Sequence, residues 1–217
     1  MSIRFSQQDY DGDEYFFGTC YTQHDSELMY IPIEKNVTKV VGSMFRKQGF
    51  QEHNFYEIEK YNASAVIILR DPVDRWISGL IEYLLLVYMD TKQSLNNITR
   101  HNLTPDKVFE QISFDAHTFP QSWFLQGLNA RCDYIWFDEN KKSQLIDIVS
   151  KYLVEHGHGT QMNLSEYAYT LDLVSAQKQQ LTKMYKDFLA QDSTLLQKIK
   201  NFYAQDYELI NSVKFYT

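Results

Sequence analysis

The sequence is poor in the residues that build cross-linked or linker-rich proteins. It has 2 cysteines in 217 residues, Cys20 and Cys132, far apart and without metal-ligand spacing. That excludes a disulfide framework and suits a reducing compartment. Only 8 Gly and 4 Pro are present, with no low-complexity tract and no internal repeat, so one domain over residues 1–217 is expected. Long apolar runs are missing as well. Residues 1–8 lack a signal-peptide core, and the apolar stretch at 80–89 is interrupted by Glu82 and too short to span a bilayer. A soluble, cytoplasmic protein without a membrane partner is expected, and the Asn-x-Ser/Thr sequons at Asn36, Asn62, Asn97, Asn102 and Asn163 then read as chance matches. Positive charge is also scarce: the net charge of −7 excludes a general nucleic-acid binder, which gains affinity from many Lys and Arg contacts to phosphate. An anionic ligand would need a local positive site.

The chain does contain a continuous apolar run rich in β-branched residues, Ala65-Val66-Ile67-Ile68-Leu69, which reads as a central strand buried on both faces. Arg70 ends it. Asp71 can cap a helix whose first position is Pro72, and Val73, Ile77, Leu80, Leu84 and Val87 recur behind it at helical spacing. Such a unit puts Arg70 at the carboxyl end of a strand and Ser78 two turns along the next helix, where open α/β sheets bind ligands. A guanidinium fork and a hydroxyl there suit a phosphate. A plainer reading pairs Arg70 and Arg75 with Asp71 and Asp74 at the helix start.

A second unit precedes it. Residues 28–33 read as a strand, 34–39 as a loop, and Val40, Val41, Met44 and Phe45 as the inner side of a helix. A loop feeding a helix N-terminus offers unpaired N–H groups to a phosphate, and Lys35, Lys39 and Thr38 add charge and a hydroxyl. Further strands are expected at 15–21 and 132–137, a helix at 144–155, and two helices from Ser175 onward. His156 and His158 lack a third nearby ligand and read as a helix exit rather than a metal site. The fold class is α/β, a mainly parallel sheet flanked by helices.

Arg70-Asp71-Pro72-x-x-Arg75-x-x-Ser78 after an apolar strand resembles the 3′-phosphate motif of sulfotransferases that use 3′-phosphoadenosine 5′-phosphosulfate (PAPS). The resemblance implies a P-loop-like sulfotransferase fold, with Arg70 and Ser78 on the 3′-phosphate. Lys35, Asn36, Val37, Thr38 and Lys39 align with that family's K-x-G-T-T phosphosulfate loop, although Val37 stands at its glycine and Lys39 at its last threonine. Sliding the alignment to match Pro32 would put Ile33 where the lysine belongs. Either Lys35 or Lys39 would contact the sulfonate.

The same resemblance implies a catalytic base between the two motifs: His53 first, Glu52 second, with His117 a third candidate. His117 stands in an H-x-x-P-Q stretch similar to one in the carbohydrate and Golgi-type branch. Arg100 and His101, in a polar connection, and His117 would bind the acceptor. Asn163, in an N-x-S segment, would approach the nucleotide, and Tyr203-Ala204-Gln205-Asp206-Tyr207-Glu208-Leu209 resembles that branch's Y-x-x-D-Y-x-L ending. The implied reaction moves a sulfonate from PAPS to an acceptor hydroxyl, carbohydrate being the expected class, leaves 3′-phosphoadenosine 5′-phosphate (PAP), and requires no metal. Two rivals stand beside it: a non-catalytic nucleotide or anion-binding module on the same fold, which Val37 would allow, and a P-loop kinase, against which the missing G-x-x-x-x-G-K-[ST] argues.

Overall fold

A computed structural model of the chain describes residues 19–54, 64–88, 117–126, 128, 130–159, 167 and 176–217. The apolar run forms β4 (Ser64–Arg70), and Ala65 to Arg70 are all buried. It lies between β2 (Leu28–Ile31) and β5 (Arg131–Phe137), parallel to both, with Ile31 opposite Ile67 and Arg70 opposite Phe137. Beyond β5 a short β6 (Phe215–Tyr216) adds a further parallel strand. On the other side lie β1 (Thr19–Thr22) and β3 (Gln51–Asn54), giving the order β3-β1-β2-β4-β5-β6. Only β1 runs against the rest, being antiparallel to both neighbours.

Alternation along β4 divides the core. Val66 and Ile68 face a layer built from α1 (Thr38–Lys47) and α3 (Lys142–Glu155), with Met44, Phe45, Ile146 and Val149 as its centre. Ala65, Ile67 and Leu69 face Phe119 and Phe124, the latter in a 3-10 turn (Gln121–Leu125). A third cluster joins α2 (Pro72–Tyr88) to α4 (Ala176–Gln191) and α5 (Ser193–Phe202) through Trp76, Ile77, Leu80, Leu181 and Tyr185. No helix among the described residues is long and apolar enough to cross a membrane.

Three details differ from the sequence reading. The segment after Gly49 is a strand, β3, because β1 offers it an edge to pair with. β2 stops at Ile31, before Pro32, which has no N–H to give a ladder. The last helical region is three helices rather than two. Asp192 caps α5 by accepting from Leu195 N at 2.9 Å, and Tyr203, fully buried, separates it from α6 (Ala204–Ser212).

Candidate active site

Two loops leave the carboxyl ends of neighbouring parallel strands and meet over one cavity. After β4, Asp71 caps α2: its Oδ1 accepts from Val73 N at 2.9 Å and Asp74 N at 3.0 Å. Pro72 takes the first helical position, as expected. After β2, the chain turns through Ile33 to Val37 into α1, with Asn36 N bonded to Ile33 O at 3.0 Å. Val37 precedes α1 at φ 56°, and Lys35 sits at φ 67°. Both are left-handed, and for a β-branched residue this is an uncommon conformation. Val37 therefore adopts a backbone that a glycine favours. Thr38 and Lys39, in the first turn of α1, have N–H groups without intrahelical acceptors.

The cavity, about 710 Å³, is lined by Lys35, Val37, Thr38 and Lys39 from this loop, by Arg70 and Ser78, and by α4. Among the described residues, seven Lys and Arg side chains face it against five carboxylates, an excess of positive charge in a chain of net charge −7. α4 supplies Lys178, Thr182 and Lys186, which recur every four residues and so share one helix face.

The cations are held in place by carboxylates. Lys35 Nζ lies 3.4 Å from Glu82, which also binds Lys178 at 3.2 Å. Burial holds the Lys35 ammonium below the ordinary lysine range, and Glu82 partly opposes it. Arg70 donates from Nη1 to Lys35 O at 2.7 Å and from Nη2 to Glu139, whose other oxygen binds Lys186 at 3.1 Å. Burial would raise the Glu139 carboxyl, but Arg70 and Lys186 outweigh it and hold it below the usual range. Arg70 Nε is buried with no hydrogen-bond partner among the described residues.

Arg75 does something else. It is fully buried, donates from Nε to Glu34 O at 2.8 Å and from Nη1 to Phe119 O, and burial lowers its pKa to about 10. Asp74 pairs with Lys186 at 2.7 Å, and Asp71 is occupied as a cap. Parts of the Arg/Asp cluster thus reach beyond the helix start, to the loop, to Phe119 and to α4.

Asn36 turns away from the cavity. Its Nδ2 donates to Ile68 O at 2.7 Å and to Gln121 Oε1 at 2.6 Å, so it braces the loop from beneath. Glu52 and His53 lie on β3 and do not line the cavity. Glu52 binds Tyr21 Oη at 3.1 Å and Arg46 at 3.2 Å. His53 pairs with Cys20 one step beyond the Tyr21–Tyr30 pair, which brings it level with the end of β2. It therefore stands at the same rim of the sheet as the loop, two strands across, or about 10 Å.

His117 does not line the cavity either. Its carbonyl packs on Gly79, where a Cβ would run into it, and that close approach brings α2 against the Thr118–Gln121 segment. Arg100, His101 and Asn163 lie outside the described residues. Sequence reasoning missed Glu82, Glu139 and the α4 lysines. The four-residue spacing of Lys178, Thr182 and Lys186 was the available signal.

Compared with known proteins, the chain matches the model of the sulfotransferase family over residues 12–211. No curated protein and no solved structure matches it.

Proposed function

The chain belongs to the sulfotransferase family, and we propose that it transfers the sulfonate of PAPS to a hydroxyl of a carbohydrate acceptor. The observation that carries this reading is the convergence of Arg70 and the Lys35 loop on one positively lined cavity. PAPS has two anionic ends, a 3′-phosphate and a 5′-phosphosulfate. Arg70, whose Nε has no partner among the described residues, and Ser78 suit the first; Lys35, Thr38 and the α1 N-terminus suit the second. Glu139 and Glu82 would give up their cations to the incoming phosphates.

In the reaction, the acceptor oxygen bonds to sulfur as the bond from sulfur to the 5′-phosphate oxygen breaks. The acceptor proton passes to a base, and PAP leaves. Catalysis of this kind is chiefly positioning and charge stabilisation, as in phosphoryl transfer, so Lys35 and the helix N–H groups would act on the charge growing at the departing phosphate. His53 is the proposed base, because its register brings it level with the end of β2, at the sheet rim where the Lys35 loop begins. The left-handed Val37 speaks against a loop that lost its function with its glycine.

The test is titration with PAP and adenosine 5′-phosphate beside a transfer assay from radiolabelled PAPS to a panel of glycans and phenols. Tight PAP binding with transfer to a glycan is expected. PAP binding without transfer to any acceptor would favour the non-catalytic module, and failure to bind PAP would sink the reading.

A further inference from the structure

One side chain joins the two halves of the cavity. Gln121 Oε1 accepts from Asn36 Nδ2 at 2.6 Å and from Arg70 N at 3.1 Å, while its Nε2 donates to Arg70 O at 2.9 Å. Asn36 belongs to the loop that carries Lys35, and Arg70 ends β4. Gln121 and Asn36 are fully buried and Arg70 nearly so. Gln121 is itself anchored: its N–H donates to Asp206 Oδ2 and the Ser122 N–H to Asp206 Oδ1, both at 2.8 Å. Tyr203, one turn before Asp206, donates its hydroxyl to Thr118 O and closes the other end of the segment.

From this geometry we infer that Gln121 is a positioning residue that sets the spacing between the loop's anion site and Arg70, so that one ligand with two anionic groups engages both together. The inference rests on the reading of the donor as a nucleotide phosphorylated at its 3′ and 5′ ends. A glutamine has the needed chemistry. Its amide pairs with the Arg70 peptide through one donated and one accepted bond, as a neighbouring strand would, and the second lone pair of Oε1 takes Asn36. A carboxylate lacks the donor, and an apolar side chain of similar length lacks all three bonds. When one ligand spans two sites, the second contact is intramolecular, and its advantage disappears once the geometry forbids both at once.

The experiment compares calorimetric affinities of PAP, adenosine 5′-phosphate and adenosine 3′-phosphate for the wild-type chain, Gln121→Met and Asn36→Ala. Gln121→Met should leave each monophosphate within about threefold of wild type while reducing the advantage of PAP over the better monophosphate by about tenfold or more. Asn36→Ala cuts the bracing from the loop side, should act in the same direction, and serves if Gln121→Met does not fold. Equal losses for all three ligands would overturn the inference by marking Gln121 as general support. A wild-type PAP advantage kept by the variants would overturn it alone. A wild-type chain with no PAP advantage would overturn the donor reading, and this inference with it.

Discussion

Arg70 and Arg75 hold consecutive carbonyls of one loop: Arg70 Nη1 reaches Lys35 O at 2.7 Å and Arg75 Nε reaches Glu34 O at 2.8 Å. The Asp71 cap makes this possible, because it starts α2 directly after β4 and puts Arg75 one turn into the helix, on the side of the loop. The two then diverge. Arg70 lines the cavity, whereas Arg75 extends to Phe119 and does not line it.

That division predicts opposite phenotypes. Arg75→Met removes charge-assisted bonds to two carbonyls, that of Phe119 buried, and should lower stability by about 2–4 kcal/mol in urea unfolding. Arg70→Met should weaken PAP by about 1.5–3 kcal/mol and adenosine 5′-phosphate far less, because the latter lacks the 3′ group. An Arg75→Met protein as stable as wild type would show that the contact with the loop contributes nothing.

Val37 should tolerate what its neighbours cannot. A left-handed backbone costs an L-residue about 1–2 kcal/mol, which glycine avoids at an entropic cost of about 0.5–1 kcal/mol. The lost packing of a half-buried valine offsets the remainder. Val37→Gly should therefore stay within about 1 kcal/mol of wild type, while Val40→Gly, a buried helical position, should cost about 3 kcal/mol. Comparable losses at both positions would mean that the left-handed loop is not strained.

How much of this was legible followed from how local each cause is. The β4 run, the Asp71–Pro72 helix start and the loop into α1 all depend on neighbours in sequence, and each was readable there. β3 was not: Gln51-Glu52-His53-Asn54 has no apolar alternation, and its strand exists because β1 pairs with it. The site's polar frame was hidden for the same reason. Glu139 lies 69 residues from Arg70, and Gln121 lies 85 residues from Asn36. Gln121 and Asp206 stood in stretches that resembled a family, but nothing local shows that both serve to hold Arg70 and the loop.

Lys35 makes alkaline pH informative, with opposite signs for folding and binding. Burial lowers its folded pKa below the unfolded value of 10.5, despite Glu82. Between the two values the unfolded chain holds more protons, so the Lys35 contribution makes stability rise with pH. Anion affinity, which needs the ammonium, is full below the folded pKa and declines as pH rises through it. PAP affinity should therefore fall at a pH below the ordinary lysine range, and Lys35→Arg, which stays charged, should remove that decline. A decline that persists in Lys35→Arg would assign it to another group.

His53 supplies the last prediction. Its backbone pairs with Cys20 at the sheet rim where the Lys35 loop begins, so its side chain shares a face with Cys20 and lies about two strand spacings from β2. An acceptor hydroxyl bound above that rim could meet the imidazole on one side and the sulfonate on the other. A general base contributes typically about 10²–10⁴-fold to rate and nothing to cofactor affinity. His53→Ala should lose turnover in that range while binding PAP as the wild type does. Glu52→Ala should be mild, since it removes a pairing with Arg46 that is half exposed and worth little. His117→Ala separates the remaining candidate. If His53→Ala keeps most of its turnover and His117→Ala loses it, the base is His117, which would have to reach the acceptor from the α2 side of the cavity rather than from β3.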